Sequence, residues 1–129
     1  MKKEAIVIVA VALLVALGIY FFPQKVNVGD AAKIELRDGS NGHSVVLTDA
    51  EDIARITENI NQLSFVRTGL TAGTGGWSYW LIWYDAQGNE IESLVLCGDN
   101  TISGDTFFYR SISGRFETEF LDMKLTGVE

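Results

Sequence analysis

The chain has 129 residues, a net charge of −7 and a single cysteine, Cys97. That length suits one small domain, the acidity argues against holding nucleic acid or an anionic leaflet through charge, and a lone cysteine excludes an intrachain disulfide. With Lys2, Lys3 and Glu4 set aside, 8 basic and 16 acidic residues remain, so the rest of the chain carries −8.

From the N-terminus, the first element is an unbroken apolar run of 18 residues, Ala5 to Phe22. As a helix it reaches ~27 Å, close to the ~30 Å hydrocarbon core of a bilayer. A helix apolar all round has to be buried on every side, and lipid is the solvent that does this. Tyr20, Phe21 and Phe22 place aromatic rings at its far end, and Pro23 stops it. Lys2 and Lys3 precede the run and only Lys25 closely follows it, which keeps the N-terminus in the cytoplasm and sends the remainder outside. The rival is a cleaved secretory signal, cut after Gly18 at Ala16-Leu17-Gly18. Run length and the bulky Tyr20-Phe21-Phe22-Pro23 end favour an uncleaved anchor. On either reading the domain lies beyond the membrane.

Residues 24–32 look like a short polar spacer. Lys33 to Arg37 alternates polar and apolar residues, the turn Asp38 to Gly42 follows, and His43 to Leu47 returns, which predicts a β-hairpin. Thr48-Asp49-Ala50-Glu51 has the form of a capping box. Ile53, Ile56, Ile60 and Leu63 then recur at helical spacing, predicting a helix over Asp49 to Leu63. A strand starting at Phe65 runs into the glycine-rich loop 69–76. Trp77 to Tyr84 is apolar on both faces, which predicts a central strand covered on each side. Strands over Glu90 to Cys97, Thr101 to Ser103 and Thr106 to Arg110 follow. Ile112, Phe116, Phe120 and Met123 space out a closing helix over Ser111 to Lys124. The expected class is α+β: a transmembrane helix (1–23), the spacer (24–32), then a domain (33–129) of order ββαβββββα, largely antiparallel and packed with two helices.

Signs of chemistry are sparse. The loop 69–76 lacks the Gly-Lys-Ser/Thr of a phosphate loop and leads into a strand, so no helix dipole backs it. His43 is the only histidine, which leaves it as the one base for a hydrolase, and no G-x-S-x-G elbow accompanies it. Asp38, Asn41, Asp99 and Asp105 lie in turns without calcium-loop spacing, and Cys97 reads as a small hydrophobe. Trp77, Tyr79, Trp80, Trp83 and Tyr84 suggest a stacking platform, although core packing accounts for most of them; Trp77, next to the glycines, is the one to escape burial. Gly73, Thr74, Gly75, Gly76 and Trp77 are therefore the candidate partner-contact residues. No cofactor, metal or catalytic group is expected.

Ile34-Glu35-Leu36-Arg37-Asp38-Gly39 with Gly42, Val46-Leu47-Thr48-Asp49 with Asp52-Ile53, Phe65 after Leu63, and Trp83-Tyr84-Asp85 with Gly88 together resemble an uncharacterised extracytoplasmic domain of Gram-positive bacteria. That family occurs alone behind an anchor or fused to β-lactam-sensing membrane metalloprotease receptors. The resemblance implies a sensory or accessory role and brings no catalytic residues. The expected function is a membrane-anchored binding or sensing module facing an envelope protein or cell-wall component, with the bilayer held through residues 5–22. The alternative is an accessory subunit acting through its transmembrane helix, where Gly18 permits close helix approach.

Overall fold

The computed structural model describes residues 2–71 and 76–127. The apolar run, with no proline before Pro23, forms α1 (Lys2–Tyr20), none of whose residues is buried. It is long and apolar enough to cross a membrane, a property it shares with signal sequences. The remaining elements are β1 (Gln24–Lys25), β2 (Lys33–Asp38), β3 (Ser44–Leu47), α2 (Ala50–Asn61), β4 (Ser64–Leu70), β5 (Tyr79–Tyr84), β6 (Glu90–Cys97), β7 (Thr101–Ser103), β8 (Phe107–Ser111) and α3 (Thr118–Thr126). All eight strands form one antiparallel sheet in the order β1-β4-β8-β7-β6-β5-β2-β3. The class is α+β.

Strand alternation assigns the two faces. Ile34 and Leu36 on β2 stand opposite Trp83 and Leu81 on β5, and Leu81 stands opposite Leu94 on β6. Together with Tyr79, Leu96, Ile102 and Phe65 they form the face on which Ile53, Ile56 and Ile60 of α2 and Phe120, Leu121 and Leu125 of α3 pack. Two polar ties cross this layer: the Trp83 indole N–H donates to Thr57 Oγ1 at 3.0 Å, and the Tyr79 hydroxyl donates to Asp122. Burial and the Asp122 carboxylate both push the Tyr79 hydroxyl well above the usual phenol range, so it stays protonated as a donor. Buried Asn59 bonds the Arg115 carbonyl through Nδ2 and accepts from the Glu117 amide through Oδ1, at 3.0 Å each. It thereby holds the irregular segment that leads into α3.

Several expectations are corrected. The 24–32 segment is part of the domain: β1 pairs with β4, Val28 joins the core, and Asn61 clamps the Val28 backbone from both sides at 2.8 and 3.0 Å. The helix cap is Asp49, whose carboxylate accepts from the amides of Glu51 and Asp52, in place of Thr48. The closing helix begins at Thr118 and not Ser111, because Ser111 pairs with Phe65 as the last residue of β8. Its buried stripe is Phe120, Leu121 and Leu125, whereas Ile112 and Met123 are 56% and 37% exposed. Finally, β5 is central but packed by helices on one side only: the helix-packed core lies on the face bearing Tyr79, Leu81 and Trp83, and of the β5 residues on the other face only Ile82 is buried.

Candidate functional site

The opposite face of β5 carries Trp80, Ile82 and Tyr84, and no residue of α2 or α3 joins them in the core. Antiparallel register sets Arg37 of β2 beside Trp80, Glu35 beside Ile82 and Lys33 beside Tyr84. On the other flank, β6 supplies Val95 beside Trp80 and Ser93 beside Ile82. Paired side chains on one face of a sheet lie within contact distance, so alternation along β2 and β5 interleaves cations with aromatic rings.

The result is a continuous ladder. Trp77, just before β5, meets Trp80 edge to face with ring centroids 6.0 Å apart. The Arg37 guanidinium lies 4.7 Å from the Trp80 ring and donates from Nε to Glu35 Oε2 at 2.7 Å. Glu35 Oε1 accepts from the Tyr84 hydroxyl at 3.2 Å, and Lys33 Nζ sits 4.6 Å from the Tyr84 ring. The Trp80 indole N–H donates to Ser93 Oγ at 2.7 Å, which fixes the ring's orientation. Ile82, at the centre, is only 3% exposed, while Trp77, Trp80 and Tyr84 remain half-buried.

The electrostatics suit recognition better than proton transfer. The bond from Arg37 holds the Glu35 carboxyl below its ordinary range, with help from Tyr84 and Lys33. Glu35 is thus a fixed anion that positions a cation. Burial first, and then the Glu35 charge, raise the Tyr84 hydroxyl. Each aromatic ring keeps exposed surface, and the cations beside it add donors, a combination that suits stacking on a ring or a peptide plane.

Among the predicted contact residues, Gly73, Thr74 and Gly75 lie outside the described residues. Gly76 is exposed with φ 92°, and Trp77 is half-buried at the end of the ladder. Gly39 sets the position of Trp77: a Cβ there would lie 1.9 Å from the Trp77 carbonyl oxygen, and the Gly39 amide donates to the Ser78 carbonyl at 2.8 Å. The strand itself starts at Tyr79, two residues later than predicted, so Trp77 belongs to the loop. Tyr79 and Trp83 are core residues.

Sequence reasoning did not assign Trp80, Tyr84, Arg37, Glu35 and Lys33 to one site. The available signal was the run Lys33, Glu35, Arg37 at alternate positions of a strand, which needs a polar-tolerant face to lie on. What the sequence did not disclose was that β2 pairs with β5, a contact made across the whole of α2 and β4.

His43 is exposed in the β2–β3 turn, where its amide donates to Asn41 Oδ1. Nearby, Ser40 donates its hydroxyl to Asp38 at 2.7 Å, and this bond lowers the Asp38 carboxyl. Serine is therefore joined to the acid, whereas a nucleophilic relay requires serine joined to histidine. Asp99 pairs with Arg115 at 3.4 Å. Burial raises the Cys97 thiol, which opposes the thiolate a nucleophile needs.

Comparison with family models, curated proteins and solved structures finds no match.

Proposed function

We propose that the chain is a membrane-anchored extracytoplasmic binding or sensing module whose contact surface is the ladder from Trp77 to Lys33, and that it performs no catalysis. The observation carrying this reading is that three aromatic rings, Trp77, Trp80 and Tyr84, keep exposed surface on a sheet face that neither α2 nor α3 covers. A folded domain usually spends such rings in its core or at an interface. The Lys2 and Lys3 side of α1 faces the cytoplasm, the domain lies outside, and the partner is an envelope protein or cell-wall component. The resemblance to an extracytoplasmic domain of Gram-positive bacteria supports the same sensory or accessory role.

The test uses the full chain in phosphatidylcholine nanodiscs, titrated separately with cell-wall fragments and with solubilised envelope proteins. Binding at the ladder shifts the indole N–H resonances of Trp77 and Trp80 and leaves that of Trp83 in place. If every fraction leaves the Trp77 and Trp80 signals unmoved, this surface is not the contact site.

A second reading has its own observation: none of the apolar side chains of α1 is buried by the domain, and a Cβ at Gly18 would meet nothing within 4 Å. A partner helix could therefore approach α1 closely at Gly18. Under this reading, replacing α1 with an unrelated transmembrane helix abolishes function while the ladder stays intact.

A further inference from the structure

A cleft of about 280 Å³ opens on the helix-bearing face of the sheet, and its lining contains no residue of α2 or α3. Its wall is apolar, formed by Val26, Phe65, Leu94, Ile102 and Tyr109, with exposed Lys25 beside it. The lining begins at Gln24, four residues past Tyr20, the last residue of α1. We propose that this cleft takes one acyl chain of a phospholipid from the outer leaflet, at the Tyr20 end of α1, with the lipid phosphate held at Lys25. The inference rests on the anchored reading above.

Two observations choose a lipid over another occupant. The first is height. The end of α1 is fastened to the sheet, because Arg67 Nη1 donates to the Tyr20 carbonyl at 3.2 Å and the Tyr20 and Phe107 rings meet edge to face at 5.7 Å. Arg67 stands opposite Tyr109 in the β4–β8 register, and Tyr109 lines the cleft. The cleft is therefore held beside the aromatic end of the membrane helix, at the level where phospholipid chains begin. The second is charge. The domain carries −8, yet the one charged residue in the cleft's lining, Lys25, is a cation, and so is Arg67, the strand partner of the lining residue Tyr109. Among the described residues no carboxylate lies within ion-pair distance of Arg67, and its Nε is buried without a partner. Rings of Tyr20, Phe107 and Tyr109 surround the guanidinium at 5.2, 5.3 and 6.0 Å. An apolar slot with uncancelled positive charge at its mouth, set at the interface, matches an acyl chain below a phosphate.

The experiment places the full chain in phosphatidylcholine nanodiscs that contain a minority of phosphatidylcholine carrying a nitroxide on one acyl chain. Methyl resonances are then compared. The expected result is selective broadening of Leu94 and Ile102 relative to Val45 and Leu47, which lie on the same face at the far edge of the sheet. Val26→Trp, which fills the cleft from a partly exposed position, removes that selectivity, and Lys25→Glu weakens it. Equal broadening of the two pairs in the unmodified chain overturns the proposal, as does selective broadening that survives Val26→Trp. The intact mass of the chain recovered from membranes decides the anchored reading separately. If α1 proves to be removed, the mature protein is tested with nitroxide-labelled lysophosphatidylcholine, and absence of selective broadening at Leu94 and Ile102 then overturns the cleft proposal on its own terms.

Discussion

Trp83→Ala and Trp80→Ala form a matched pair that tests the one-sided core. The residues are three apart on β5 and point to opposite faces of the sheet. Trp83 is 0% exposed, packs among residues of both helices and donates to Thr57. Truncating a buried tryptophan costs about 3–5 kcal/mol, and the stranded Thr57 hydroxyl adds about 1 kcal/mol. A small domain holds only about 5–15 kcal/mol in total, so Trp83→Ala lowers Tm by tens of degrees or leaves the chain unfolded. Trp80 is half-exposed, and its losses are the Arg37 contact at about 0.5–1 kcal/mol and the Ser93 bond at about 1 kcal/mol. Trp80→Ala should therefore lower Tm by roughly 10 °C, at about 4–8 °C per kcal/mol for a domain of this size. The assay is thermal unfolding of the full chain in nanodiscs, followed by near-ultraviolet circular dichroism. Equal destabilisation by the two substitutions would refute the reasoning, since it would mean that the ladder face is packed as tightly as the core.

Three further outcomes are expected. Glu35 has its carboxyl lowered chiefly by the Arg37 bond, so its contribution to stability is complete above the ordinary glutamate value of 4.5 and is lost as pH falls through the lower, folded value. Carboxyl NMR should place its titration below that of an ordinary glutamate and return it upward in Arg37→Ala. Asn59→Ala strands the Arg115 carbonyl and the Glu117 amide and should cost about 1–3 kcal/mol, with faster amide exchange in α3 than in the strands. Asp49→Ala should cost about 1 kcal/mol through loss of the helix cap, while Thr48→Ala stays near neutral; the reverse order in a denaturant titration would restore the capping box.

Local patterns were legible where a single element satisfied them. The spacing of Ile53, Ile56 and Ile60 described the buried stripe of α2 because that helix packs on one surface along its whole length. The closing helix failed the same reading: Ile112 and Phe116 continue its spacing, but Ser111 is drawn into β8 and Phe116 is buried from an irregular segment. Periodicity does not distinguish a helix from a loop that happens to bury one ring. Thr48 lost the cap to Asp49 through a one-residue shift of the helix start, which no pattern of residue types decides. The two apolar faces of Trp77 to Tyr84 were legible, but their cause was not. One face meets helices, and the other meets Lys33, Glu35 and Arg37, whose long side chains cover aromatic rings as readily as a hydrophobic layer does.

The least legible feature is also the one that joins the two halves of the molecule. Gln24 to Ala32 shows no period, yet β1 pairs with β4, Asn61 clamps Val28, and the Ala32 amide donates to the Tyr84 carbonyl at 2.9 Å. Each tie comes from a residue distant in sequence, so the segment itself carries no sign of them. Arg67 adds a further tie at the helix end, where the last carbonyls of α1 lack intrahelical partners and the helix dipole favours a cation. No basic residue of α1 fills that role in its own last turn. A polar spacer would have let the domain swing freely about the end of α1. The observed joint instead fixes β4 to the end of α1, and through the sheet it fixes the position and tilt of the ladder four and five strands away. A partner that engages Trp77 and Trp80 therefore meets them in a set orientation to α1, and a load on the ladder is passed through β4 to the end of α1.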